Sequence, residues 1–324
     1  MKVATIISAC FLFCAGISCS PSGNPDTSQN QKDTLTTGWS ITSVTSSRLI
    51  DIFFQNSTVG YIGGERCYKT NDAGKTWAPL PDSVSADNMF VTNDGTLFTI
   101  VNHKSKCFRL SNWGTTITGS IVNIFTVYSG DLFFTDSNNG FIVSKTGINK
   151  TTDAGNSWAL LTGVNGLTFS DSYATCYFTD TNTGWVISGQ KIFRSNADLQ
   201  NWAESNVSGM SNSFLASIFA VSKDIVYAGG GDGAVFKSTD GGRNFSKIAS
   251  LYYSATDKYL DIHFVDSNTG YACYQSRIYK TTDGGATWVK VVGLVQSQII
   301  EVHFTDANHG WACTVDGKVL KFEQ

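Results

Sequence analysis

The sequence predicts an all-β protein: a seven-bladed β-propeller of four-stranded antiparallel blades, with the ring closed by an N-terminal strand. Three observations predict it. An eight-residue box, best kept as TTDGGATW at Thr281 to Trp288, recurs at Thr70 to Trp77, Thr151 to Trp158 and Ser238 to Phe245. The aromatics that close the box positions, Trp77, Ile117, Trp158, Trp202, Phe245 and Trp288 (Ile117 standing in for one), step by 40, 41, 44, 43 and 43 residues. The last unit stops before its box and fourth strand, while an orphan strand stands at the start of the chain. A repeat of that period decides the fold before local propensity does.

The box reads Ser/Thr-x-Asp-x-Gly-x-(Thr/Ser/Asn)-aromatic. Aspartate accepts backbone N–H bonds at the turn, glycine supplies positive φ, and the aromatic anchors the next strand. The structural box residues are Asp72, Gly74 and Trp77; Asp153, Gly155 and Trp158; Asp240, Gly242 and Phe245; Asp283, Gly285 and Trp288. Each box supplies one carboxylate, whereas calcium takes six or more oxygens. The boxes therefore read as turn architecture, and no spacing of Cys or His calls for a metal or cofactor.

The fullest unit, Leu260 to Gly293, reads as strand, turn, strand, strand, box and strand, the meander of one propeller blade. Units at Asp51–Asp82, Asp131–Val164 and Phe214–Ser250 follow it; Asp87–Ile117 and Ala174–Val207 keep the strands and lose the box. Ile299 to Gln324 carries three strands, and Thr37 to Val44, with its Gly38-Trp39 start, is their expected fourth, covering an open edge.

Residues 1–19 read as a lipoprotein-type signal peptide: Lys2, an apolar run, and Gly-Ile-Ser-Cys with Cys19 as the lipidated residue. Residues 20–36 read as a flexible tether and 37–324 as the propeller, exported and held at a bacterial membrane, periplasmic or on the cell surface, as a monomer. Cys67, Cys107, Cys176, Cys273 and Cys313 read as small buried hydrophobes. A net charge of −3 without a basic run excludes general attraction to nucleic acid.

Cations fall in two sets. Lys69, Arg109, Lys150, Arg194, Lys237, Lys280 and Lys321 precede the box positions and read as solvated side chains of an outer strand. Arg66, Arg277 and Lys318 stand at second-to-third turns on the opposite face, joined there by Arg48 from a connection between blades. These four, in blades six, seven and one, form the candidate partner-binding patch for carboxylates or other anions. Asp51, Asp131, Asp261 and Glu301 begin inner strands on that face and are expected to neutralise part of it. Inner-strand centres read Phe53, Phe133, Tyr177, Phe219, His263 and His303, as packing or channel lining. Trp185 and Trp311 read as packing anchors.

The box, preceded by Phe264-x-Asp266-x-x-x-Gly270-Tyr271, resembles the Asp-box (BNR) repeats, and the pairing of both motifs resembles the photosystem II stability/assembly factor family over about residues 37–324. That resemblance implies a seven-bladed, non-catalytic propeller that binds newly made membrane-protein subunits, with no cofactor. Two alternatives stand beside it. One is a sialidase-like or other Asp-box glycoside hydrolase, for which Arg48, Arg66 and Arg277 would have to converge beside paired carboxylates. The other is a cell-surface module binding glycan or protein.

Overall fold

A computed structural model describes residues 35–324 except 82–83, 102–105, 112–113, 115, 123–129, 170–173, 197, 212–213, 252–259 and 294. The predicted signal peptide with Cys19, and nearly all of the tether, lie outside the described residues.

The described elements are strands. The N-terminal strand is β1 (Trp39–Ser43). Blade 1 is β2 (Leu49–Phe54), β3 (Gly60–Gly64), β4 (Tyr68–Thr70) and β5 (Ala78–Pro79). Blade 2 is β6 (Asn88–Val91), β7 (Leu97–Val101), β8 (Lys106–Ser111) and β9 (Thr116–Val122). Blade 3 is β10 (Asp131–Phe134), β11 (Gly140–Ser144), β12 (Gly147–Thr151) and β13 (Ala159–Leu160). Blade 4 is β14 (Ala174–Phe178), β15 (Gly184–Ser188), β16 (Lys191–Ser195) and β17 (Trp202–Glu204), and is followed by β18 (Asn206–Ser208). Blade 5 is β19 (Leu215–Ala220), β20 (Val226–Gly230), β21 (Ala234–Ser238) and β22 (Asn244–Ser250). Blade 6 is β23 (Leu260–Phe264), β24 (Gly270–Tyr274), β25 (Arg277–Thr281) and β26 (Val289–Val292). Blade 7 is β27 (Ile299–Asp306), β28 (His309–Thr314) and β29 (Lys318–Glu323), completed by β1.

Seven sheets thus form the ring, and the N-terminal strand closes it by pairing antiparallel with β29, Trp39 opposite Phe322 and Ser43 opposite Lys318. Trp39 meets Phe304 edge-on at 74°, as Trp77 meets Phe54 (88°), Trp158 meets Phe134 (84°) and Trp288 meets Phe264 (80°). The orphan strand therefore supplies the aromatic that a box would have supplied. One feature was not predicted: β18 lies parallel on the outer edge of β22 and makes blade 5 five-stranded.

Neighbouring blades are joined by stacked rings. Phe54 lies on Trp311 at 3.5 Å, Phe134 on Phe98 at 4.3 Å, and Phe178 on Phe141 at 4.0 Å. Phe264 lies on Tyr227 at 3.9 Å and Phe304 on Tyr271 at 3.5 Å. Each of these inner-strand phenylalanines also covers the glycine that opens its own second strand. A Cβ at Gly310 would stand 2.0 Å from Phe304, and one at Gly270 2.6 Å from Phe264. The Phe-x-Asp-x-x-x-Gly spacing is thus a steric requirement of the seam between blades. Cys67, Cys107, Cys176, Cys273 and Cys313 are buried and unpaired.

Candidate functional site

Three regions hold the chemistry of the ring: the boxes on one face, the axis, and the turns of the opposite face. In the boxes every specified position has a hydrogen-bonding or conformational task. Thr281 Oγ1 donates to Asp283 Oδ1 (2.8 Å) and accepts the Gly285 N–H (2.9 Å). Asp283 Oδ1 accepts the Thr287 N–H at 2.8 Å, and Oδ2 accepts the Thr287 hydroxyl at 2.5 Å. The same pattern repeats around Asp72, Asp153 and Asp240. Positions four and five are both left-handed, as at Ala73 (62°) and Gly74 (81°), which fits the small residues found there. These bonds hold each exposed carboxylate ionised, with Asp72, Asp153, Asp240 and Asp283 drawn down to about 2, chiefly by the residue four positions on.

The basic residues before the boxes correct the sequence reading. They stand on third strands, half-buried or, in Lys321, buried, rather than on solvated outer strands. Antiparallel register sets each opposite the second-strand aromatic: Lys69 opposite Tyr61, Lys237 opposite Tyr227, Lys280 opposite Tyr271. Their ammonium groups lie 5.7, 5.1 and 5.3 Å from those ring centroids. The aromatics in turn reach the next blade. Trp185 donates to Gly241 O (3.1 Å), Tyr227 to Gly284 O (2.8 Å) and Trp311 to Ala73 O (3.0 Å). Box, cation and aromatic therefore form one device between blades.

At the axis, seven rings close a circle: Phe53, Phe90, Phe133, Tyr177, Phe219, His263 and His303, with neighbouring centroids 4.7 to 5.4 Å apart. Phe90 escaped the sequence reading because its unit lacks both the box and the Phe-x-Asp-x-x-x-Gly turn that fix the alignment elsewhere. Burial keeps both histidines neutral at pH 7, lowering His303 to about 4 and His263 well below its ordinary value.

Two residues earlier on each inner strand lies a polar belt of Asp51, Asn88, Asp131, Thr175, Ser217, Asp261 and Glu301. Five of these accept an amide from the following blade. Asp51 takes Met89 N–H, Asn88 takes Leu132 (3.2 Å), Asp131 takes Cys176 (2.8 Å), Asp261 takes Val302 (3.1 Å) and Glu301 takes Ile52 (3.0 Å). Burial raises these carboxyls, Asp51 to about 7, Asp261 to about 6, Asp131 above its usual range and Glu301 well above it. The belt acids are thus engaged with the blades. Among the described residues no group of three or more His, Cys, Asp or Glu is arranged to hold a metal.

The cations of the candidate patch, all half-buried, sit at the turns and connections of the belt's end of the ring. The approach to blade 1 is bonded to the blade 7 turn, Val44 N–H to Gly317 O at 2.9 Å, and a Cβ at Gly64 would lie 2.2 Å from Arg48 O. The Arg48 backbone therefore runs between the turns that carry Lys318 and Arg66. Lys318 pairs with Asp316 at 2.8 Å. Arg277 donates to Gln275 Oε1 at 3.3 Å, on a turn held to the next connection by Ile299 N–H to Gln275 O at 2.7 Å.

This geometry defines a seven-bladed Asp-box propeller. The family model described as photosynthesis system II assembly factor YCF48 matches residues 173–276, and the chain is an Asp-box repeat propeller resembling that family. Among solved structures, YCF48 bound to D1 peptide is 15% identical, covers 90% of this chain and 98% of its own, and superposes with a TM-score of 0.71. YCF48 from Cyanidioschyzon merolae is 17% identical over 89% and 99% of the two chains, with a TM-score of 0.66. Virginiamycin B lyase from Staphylococcus aureus, an enzyme, is 14% identical over 88% and 99%, with a TM-score of 0.70. At these identities the likeness establishes the fold. No curated protein matches.

Proposed function

We propose that this chain is a non-catalytic binding propeller that receives a segment of a membrane-protein subunit, in the manner of an assembly factor. The observation that carries the reading is the family-model match, which covers blades 4 and 5 and the first half of blade 6. A structure of the matched factor is described as bound to a D1 peptide, which favours a protein partner over a glycan. We assign the contact to the face carrying Arg48, Arg66, Arg277 and Lys318, where cations suit a peptide carboxylate or acidic side chains. The soluble domain, residues 37–324, is expected to retain specific membrane proteins from native membranes, and Arg66→Glu with Arg277→Glu to lose them. Equal retention by both forms rejects the patch.

Export and anchoring belong to the same proposal, with Cys19 as the lipidated first residue of the mature protein. Mass spectrometry of the protein recovered from membranes is expected to show an N-terminal peptide starting at Cys19 with a diacylglyceryl adduct. An unmodified terminus at another residue rejects the anchor. The alternative of an enzyme draws on the lyase neighbour and on His263 and His303 at the axis. Two facts favour the binding reading: the belt carboxyls are occupied by backbone amides, and both imidazoles are packed into the aromatic ring.

A further inference from the structure

Among the described residues, four that are not glycine have a left-handed backbone: Ala73, Ala154, Leu199 and Gln275. The first three occupy the fourth or fifth position of a box or of its degenerate counterpart. Gln275 stands elsewhere, at the first place of the two-residue loop between β24 and β25, with φ at 58°. Positive φ at that place of a hairpin loop favours glycine, and the same loop of blade 4 has Gly189 there at 64°. A second cost falls on the same residue. Gln275 is only 6% exposed, and its buried Nε2 has no acceptor among the described residues. Backbone strain and an unsatisfied amide at one residue call for a compensating task. The Oε1 atom supplies it, accepting Arg277 Nη1 at 3.3 Å. That bond sets which way the amide points, since the reverse orientation would bring two donors together.

We propose that, on the patch that receives the partner in the reading above, Gln275 is a positioning residue: it holds the Arg277 guanidinium ready for a carboxylate of the partner, and its strained loop is kept for that task. The loop itself is fixed from behind. Gln275 O accepts the Ile299 N–H (2.7 Å) and Ser276 O the Val295 N–H (3.0 Å), both from the connection to blade 7. The same connection holds the Lys318 turn, where Gln298 O accepts the Val315 N–H at 3.0 Å. That turn takes the Val44 N–H on Gly317 O (2.9 Å), on the approach to Arg48. Backbone bonds thus set where Arg277 stands relative to Lys318 and Arg48, and Gln275 sets how its guanidinium points. The choice of an amide fits the task. At the equivalent turns Lys191 and Lys318 meet carboxylates, Glu204 and Asp316, each at 2.8 Å. Glutamine orients the guanidinium without adding a charge that competes with an incoming carboxylate. A side chain already held in place also loses less freedom when the partner binds.

Gln275→Gly gives this loop the glycine that blade 4 uses and sets stability against binding. Its Tm is expected to equal or exceed that of the wild type, because the strain is relieved. NMR relaxation of the Arg277 Nε–Hε group, with no partner present, is expected to show an ordered guanidinium in the wild type and a mobile one in the variant. Hexaglutamate at low salt serves as the carboxylate probe and is expected to shift the Arg277 Nε–Hε signal. Gln275→Gly is expected to bind it roughly fivefold or more weakly, the cost of one long side chain left to be immobilised. Gln275→Glu keeps the reach to Arg277 and adds a competing charge, so guanidinium order is expected to persist while affinity for hexaglutamate falls further. The role of Gln275 is overturned if Gln275→Gly leaves Arg277 as ordered as before, if it binds hexaglutamate as tightly as the wild type, or if its Tm falls together with its affinity. A wild-type Arg277 signal that hexaglutamate does not move overturns the proposal through its premise, the patch, and the probe-free order of Arg277 keeps that failure distinct from a failure of Gln275.

Discussion

The propeller uses carboxylates in two places under opposite conditions. The box aspartates lie at the surface, gather three or four short-range donors each, and are held ionised at about 2. The belt acids lie at the axis, Asp51 buried and the others half-buried, accept amides across blade seams, and are pushed up toward neutrality or beyond. Residue type is the same; desolvation decides the outcome. A box aspartate organises a turn within one blade, whereas a belt acid joins two.

The largest expected effect of that difference is on the pH dependence of the whole domain. A box aspartate has a folded value below its ordinary 3.8, so its contribution is present above about pH 4 and is lost as pH falls through about 2. A belt acid has a folded value above its ordinary one, so its contribution is present below about pH 4 and is lost as pH rises through about 6 to 7. Together they place the maximum in mildly acidic solution. Urea midpoints measured from about pH 3 to about pH 9 are expected to peak near pH 5 and to decline toward neutrality. A flat plateau from about pH 5 to about pH 8 breaks the comparison on the belt side.

Single substitutions sharpen it. Asp131 serves the Cys176 amide (2.8 Å), the Thr175 hydroxyl (2.6 Å) and the Asn88 amide (2.6 Å). Asp131→Ala strands those donors where water has little access, a loss of about 3 kcal/mol by the cost of unsatisfied buried groups. Equilibrium denaturation checks this, and a loss below about 1 kcal/mol would mean that water replaces the carboxylate freely.

How much of this could be read from the chain depended on the range of each interaction. Blade number, the box and the closing strand followed from local spacing, since Gly38-Trp39 offers a glycine and a strand-opening aromatic as the boxes do. The Phe-to-Gly contact was visible as a motif, although its steric reason was not. The fifth strand of blade 5 was hidden because Asn206–Ser208 is three residues with no periodicity and pairs with a strand far along the chain. The cations of the third strands were misjudged because their burial depends on cross-strand register, which places an aromatic under each. The bond from the Ile52 amide to Glu301 was beyond reach for a similar reason: the two residues are 249 apart in the chain and meet only when the ring closes.

The smallest effect is expected at the box, and there the aspartate can be divided into its parts. Asp283→Ala removes an acceptor for Thr281 and for the Thr287 amide and hydroxyl, but water reaches the Thr287 groups, so the cost is expected to be well below that of Asp131→Ala. Asp283→Asn keeps the Oδ1 acceptor and exchanges a charged acceptor for a donor opposite the Thr287 hydroxyl, which can rotate to accept. Its loss is expected to be less than half that of the alanine variant. Both are measured by equilibrium denaturation at neutral pH, beside Asp131→Ala under the same conditions. If Asp283→Ala costs as much as Asp131→Ala, the box carries strain from the seam as well as turn geometry. The Tyr227 and Lys237 bonds to Gly284 O would then be the route, since they join that turn to blade 5.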